Sequence, residues 1–144
     1  MNNSSILLRV TSVLWIVWGL VHMLAGVLTL NNATAQKFAG IADAVDPASL
    51  AMDYPAAVAA ITNQHGFNLL WFGVVTLICG VLIWRGRWPA VWLAAIVGGL
   101  ADLGYFLFLD LGGFVNFVPG TVMTLVSGSA IVLSVIAFMQ QRRA

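Results

Sequence analysis

PAVWLAAIVGGLADLGYFLFLDL (Pro89–Leu111) carries two charged side chains, Asp102 and Asp110, in a stretch that is otherwise small or apolar apart from Tyr105. A helix rising 1.5 Å per residue over this stretch runs ~34 Å, enough to cross a hydrocarbon core of about 30 Å. Asp102 then lies well inside that core, where an Asp costs roughly 2.5–3.5 kcal/mol on insertion scales. The chain has five acidic residues, all aspartates, so one placed at depth demands a reason.

The composition agrees with a membrane setting. The 144 residues are 61% hydrophobic and 8% charged, with a mean hydropathy of +0.98, whereas soluble domains carry about 25% charged residues. A net charge of +1 gives nucleic acid nothing to bind. The lone Cys79 excludes an internal disulfide and reads as a small buried hydrophobe. The expected fold is all-α, an integral membrane four-helix bundle forming a single domain over residues 1–144.

Three more stretches match the first in length and apolarity. The spans are expected at about 10–30, 66–84, 89–111 and 119–139, with Pro89 and Pro119 at first turns and Gly112-Gly113 ending the third helix. Arg9, Arg85, Arg87, Arg142 and Arg143 then share one side, and Lys37 stands on the other with Asp43, Asp46 and Asp53. The positive-inside rule puts both termini in the cytoplasm. Ala33-Thr34-Ala35 also resembles a signal-peptide cleavage site, but the preceding apolar run exceeds the 7–15 residues of a signal core. Residues 31–65 form the outer loop. Within it Phe38, Ile41, Ala42 and Val45 suggest a short amphipathic helix on the membrane surface. Asp46-Pro47 and Asp53-Pro55 read as helix starts.

Rise per residue converts sequence distance into depth. His22 and Asp102 each come out ~20 Å from the cytoplasmic arginines, Ser127 at ~22 Å, Asn68 and Tyr105 at ~25 Å, Thr124 at ~27 Å and His65 at ~30 Å. All four helices thus contribute to one polar layer in the outer half. The inner half reads as aliphatic apart from Thr76 and Cys79. Helical spacing places Trp15, Trp18, His22 and Gly26 on one stripe, and His65, Asn68, Phe72 and Thr76 on another. Ala94, Gly98 and Asp102 form a small-residue approach surface on the third helix. The expected result is an outward-open pocket walled by His22, Asn68, Asp102, Tyr105 and Thr124, with His22 as the partner of Asp102.

An intramembrane acid is by default a functional residue, although a structural tie between helices one and three would also explain it. His65 suits solvation in the headgroup region as well as ligation, and Asp110 suits plain solvation. Most of the six tryptophans, notably Trp84, Trp88 and Trp92, read as interface anchors. Trp15 and Trp18 lie deeper and are candidates for the pocket wall. Two histidines and no Glu are too few ligands for a zinc or di-iron site, while a haem iron needs only one.

ADLGYFLF (Ala101–Phe108) and QHGFN (Gln64–Asn68) resemble segments of the bacterial styrene oxide isomerases. That resemblance implies a small four-helix membrane protein assembled as a trimer. It also implies haem b on His65, whose ferric iron acts as a Lewis acid opening an epoxide to an aldehyde. Asn68, Asp102 and Tyr105 would line the substrate side, and the setting would be a bacterial cytoplasmic (inner) membrane. The chain departs from the family in a shorter His-to-Asn spacing, an acid in place of Asn on the third helix, and a swapped Tyr-Phe order. RVTSVLWIVWGLVHMLAG (Arg9–Gly26) is similar to the opening of DoxX-like four-helix membrane proteins, which implies little specific chemistry.

Three function classes follow. One is an isomerase acting on a small lipophilic molecule that enters from the bilayer or the outer face, with Asp102, Tyr105, Asn68 and His22 in catalysis. A second is a small-molecule or proton binding or transport component. The third is an accessory subunit of a larger membrane complex, or a homo-oligomer.

Overall fold

In the computed structural model, which describes residues 3–143, the chain is helical with no strand among the described residues. The elements are α1 (Asn3–Asn31), α2 (Thr34–Ile41), α3 (Pro47–Leu50), α4 (Ala56–Trp84), α5 (Trp88–Tyr105) and α6 (Val122–Arg143). Four helical stretches are long and apolar enough to cross a membrane: Ser5–Asn31, Ala56–Trp84, Trp88–Asp110 and Val122–Arg142. They form an antiparallel bundle in which α1 packs chiefly on α4 and α6, and α5 closes the ring between those two. Both described ends of the chain lie at one end of the bundle, the terminal end. There Arg9 sits over the Trp84 ring at 5.3 Å and Arg142 over Phe138 at 4.5 Å. The opposite, loop end carries α2, α3 and the 111–116 turn.

The seam between α1 and α4 has a seven-residue rhythm. Ser12, Gly19 and Gly26 on α1 face Gly80, Gly73 and Gly66 on α4 in antiparallel register. A Cβ on Gly19 would lie 2.7 Å from the Gly73 carbonyl oxygen, one on Gly73 2.6 Å from that of Gly19, and one on Gly26 2.7 Å from that of Gly66. Ser12 Oγ donates to the Gly80 carbonyl at 2.7 Å, completing the third rung. Where lipid replaces water, helices associate through such close packing, and small residues permit it. A strict heptad keeps the two faces together along their length. The Ala94–Gly98–Asp102 surface on α5 does not bring its backbone close to α1; Gly98 and Asp102 instead receive the Trp15 and Trp18 side chains of α1. A Cβ on Gly98 would stand 2.4 Å from the Trp15 ring, so that glycine is the seat of a fully buried indole.

At the loop end α4 begins at Ala56, directly after the helix start read at Asp53-Pro55, and it extends ten residues beyond the 66–84 span, so the outer loop is 32–55. Pro55 occupies the cap position with no side-chain cap, and so the expected Asp53 cap is not made. At Asp46 the cap does form, with Oδ1 accepting the Ala48 N–H at 2.9 Å and Pro47 opening α3. The short helix suggested by Phe38 and Ile41 forms as α2, and it packs on the bundle. Its Lys37 is only 4% exposed and donates to Asn63 Oδ1, which pins the helix onto α4. Val118 is extended, and the helical backbone begins after it and runs through a π-helical turn into α6, so the last helix opens at Pro119 as expected. Phe106–Asp110 forms a second such turn, which prolongs α5.

Candidate functional site

Trp18, His22 and Asp102 form one unit. Trp18 and His22 are four apart on α1, so they stand on one face. Their rings stack with centroids 3.5 Å apart and planes 16° from parallel. The Trp18 indole N–H donates to Asp102 Oδ2 at 2.7 Å. The Trp18 carbonyl lies 2.9 Å from His22 Nδ1. A carbonyl can only accept, so this contact assigns the hydrogen to Nδ1 and leaves the lone pair of a neutral ring on Nε2. That nitrogen faces Asp102 Oδ1 at 3.8 Å. Ser127 of α6 lies near the carboxylate, but its hydroxyl donates to the Thr124 carbonyl at 3.1 Å. Asp102 is 4% exposed and Trp18 fully buried, so water does not stand in for these partners.

The pair opens on a cavity of about 130 Å3 toward the loop end. His22, Asp102, Tyr105 and His65 line it together with the apolar side chains of Val21, Leu69 and Met123. Gly40, Ile41 and Asp43 from the end of α2 and the chain after it contribute to its wall. The Tyr105 hydroxyl is packed tightly against Gly120, where a Cβ would approach it to 2.3 Å. Glycine at that position makes room for the phenol.

Of the residues expected at the site, His22, Asp102, Tyr105 and His65 share this cavity. Asn68 does not line it. Its Oδ1 accepts the Trp71 indole N–H at 3.1 Å, on the next turn of the same helix. Thr124 is likewise absent from the lining, and its buried hydroxyl has no partner among the described residues. Asp110 is more than a solvated end group, since its Oδ1 accepts the Thr121 hydroxyl at 2.5 Å while Oδ2 is buried and unpartnered. The half toward the terminal end is more polar than expected, with Thr11, Ser12 and Ser134 buried beside Thr76. Ser12, Thr76 and Ser134 spend their hydroxyls on backbone carbonyls at 2.7–2.8 Å and so offer no path of free donors.

Trp18 and Asp43 were not expected at the site in these roles. Trp18 carried a signal, its four-residue spacing from His22. Asp43 carried none, because a loop residue reaches the cavity only through the path of the chain.

His65 is the ligand that the isomerase resemblance assigns to haem b. A porphyrin belongs with ligands whose pockets run to roughly 300 Å3 or more. The cavity that His65 lines is well below that volume, so these residues do not enclose the group. No cluster of three or more His, Cys, Asp or Glu suited to a metal ion occurs among the described residues. Comparison with protein-family models, with curated proteins and with solved structures gives no match to this chain.

Proposed function

We propose that the chain is an integral membrane isomerase of small lipophilic molecules that works by proton transfer in this cavity. With the arginine-rich end in the cytoplasm of a bacterium, the cavity faces outward and takes its substrate from the bilayer or the outer face. The observation that carries the reading is the buried carboxylate and imidazole that open on an apolar cavity beside a phenol. Convergent titratable groups in such a setting suit general acid–base work.

Size sets the substrate class. A cavity of about 150 Å3 holds benzene, and this one is about 130 Å3, which suits an epoxide no larger than benzene, such as 2,3-epoxybutane. In the isomerisation Asp102 and His22 take a proton from the carbon beside the ring. The new C=C bond forms as the C–O bond breaks, and Tyr105 delivers a proton to the oxygen. The proton held between Asp102 Oδ1 and His22 Nε2 returns to Tyr105 through the cavity. The product is the isomeric allylic alcohol, with no net gain or loss of atoms or electrons.

The test is gas chromatography of 2,3-epoxybutane, whose methyl carbons beside the ring carry the proton to be removed, incubated with reconstituted protein. Turnover is expected, with a loss of about 10²- to 10⁴-fold in Asp102→Asn, the usual range for general acid–base catalysis. No conversion above protein-free liposomes, or full conversion by Asp102→Asn, overturns the reading.

A further inference from the structure

The chain after α2 roofs the cavity at the loop end of the bundle and is fastened there. Asp43 Oδ1 accepts the Asn116 backbone N–H at 2.7 Å, and Asn116 Nδ2 donates to the Asp43 carbonyl at 3.1 Å. One residue on, the Ala44 N–H donates to the Phe114 carbonyl at 2.9 Å. These three bonds tie the first loop to the turn between the third and fourth spans, with Asp43 both in the clasp and in the cavity wall.

The side of the cavity is less closed. Of the residues that line it, only Val21 and Gly40 are exposed, and the rest are buried or half-buried. Both stand beside α1. Val21 belongs to that helix, and a Cβ on Gly40 would meet nothing nearer than the Thr29 hydroxyl of α1, at 3.9 Å. Val21 is 36% exposed and shares a helical stripe with Val17, Leu24 and Leu28, which form the apolar outer face of α1. Four residues on, Ala25 lines the cavity. Val21 is therefore the rim where the outer face of α1 turns into the cavity wall. The facing helix loosens at the same level. Ser127, Ala130, Ser134 and Ala137 make a buried stripe on α6 toward the terminal end. No residue from 120 to 126 is buried as a whole, although Gly120 and Met123 line the cavity.

We infer that the cavity opens sideways between α1 and α6 at Val21, and that its ligand is an uncharged molecule that arrives dissolved in lipid. The exposed Val and Leu side chains around the rim suit hydrocarbon, and a charged molecule pays heavily to reach them. The inference rests on the cavity being the substrate site and deepens that reading by naming the route, and with the route the class of molecule admitted.

Ala25→Cys in a Cys79→Ala background puts the only thiol of the chain in the cavity wall. Propyl methanethiosulfonate and its 2-ammonioethyl analogue are thiol reagents of nearly equal size that differ in charge. Their rates on the full chain in liposomes are read by mass spectrometry. Each is divided by its rate at Ala48→Cys, an exposed position of the outer loop. By this measure the uncharged reagent is expected to react at least about tenfold faster than the cation. Val21→Trp, which fills the rim, should slow the uncharged reagent roughly tenfold, and Val21→Ala, which widens it, should quicken the reaction. Leu24→Trp puts the same ring on the outer stripe away from the cavity and should change nothing. Asn116→Ala loosens the roof and should leave both rates as they are. Equal rates for the two reagents, no reaction with the uncharged one, indifference to both Val21 variants, or faster reaction in Asn116→Ala overturns the inference. Labelling as expected beside absent epoxide turnover refutes the isomerase reading alone. Turnover beside equal rates refutes the lateral opening alone.

Discussion

Trp18→Phe removes the indole N–H from Asp102 Oδ2 and shrinks a fully buried ring. Trp15→Phe makes the same change in volume one turn earlier, and its indole N–H has no partner to lose. The two variants share the ring contraction, and a cycle with Asp102 separates the hydrogen bond from the stacking of Trp18 on His22. At 2.7 Å, to a carboxylate 4% exposed, the bond is charge-assisted and unreplaced by water. Hydrogen bonds to charged groups contribute roughly 1.5–3 kcal/mol, whereas intramembrane polar contacts average about 0.6 kcal/mol. Trp18→Phe should then cost about 1.5–3 kcal/mol more than Trp15→Phe. Reversible unfolding in mixed micelles measures both, and adding Asp102→Asn to each closes a double-mutant cycle. A difference at or below about 0.6 kcal/mol would refute the account of Trp18 as the residue that makes a carboxylate at this depth tolerable.

Two further outcomes test the seam and the cavity. Gly73→Ala places a Cβ 2.6 Å from the Gly19 carbonyl oxygen and 2.7 Å from the Met23 backbone nitrogen. Backbone cannot swing aside, so α1 and α4 must part, and overpacking of this kind costs about 1–3 kcal/mol in the same unfolding measurement. An unchanged midpoint would show that the seam is looser than its geometry. In absorption spectroscopy, protein purified after growth with added haemin should show no Soret band that His65→Ala abolishes. Such a band would place a porphyrin on His65 outside the cavity and revive the Lewis-acid chemistry that the isomerase resemblance implies.

Much of the fold was legible because lipid imposes a simple rule of length and apolarity. Asp46-Pro47 opens a helix, and Pro55 precedes one, as those dipeptides suggest. Equal depths for His22 and Asp102 end in a 3.8 Å approach, since depth along a straight helix follows from counting residues. Rotation about the axis is less legible. Asn68 shares a stripe with His65 by spacing, yet only His65 reaches the cavity, because the glycine seam sets the face that α4 turns toward α1. The heptad of Gly66, Gly73 and Gly80 was the overlooked signal for that rotation. Trp18 was expected as a wall residue and not as a donor, because an indole N–H has no sequence signature for its partner. Asp43 reaches the cavity by way of Lys37, an isolated basic residue whose burial against Asn63 fixes the course of α2.

The energetics of Asp102 bear on what His22 is for. An Asp at the centre of a helix costs roughly 2.5–3.5 kcal/mol to insert, and a charge-assisted bond such as that from Trp18 returns roughly 1.5–3 kcal/mol. Little of the cost is then left for a further partner to offset. His22 is thus not needed to make Asp102 tolerable, and its geometry says the same. Its Nε2 stands 3.8 Å from Oδ1, beyond a good hydrogen bond, while its Nδ1 is committed to the Trp18 carbonyl. A structural tie would close that gap. An imidazole held by stacking and by its far nitrogen, with the near one pointed at a carboxylate across an open cavity wall, is placed to exchange a proton with whatever lies between them. The second histidine, His65, is partly exposed and borders the same space. Trp18 supports both halves of the pair, through its N–H to Asp102 and its ring and carbonyl to His22, and that shared support favours chemistry over mere cohesion as the reason for a carboxylate at this depth.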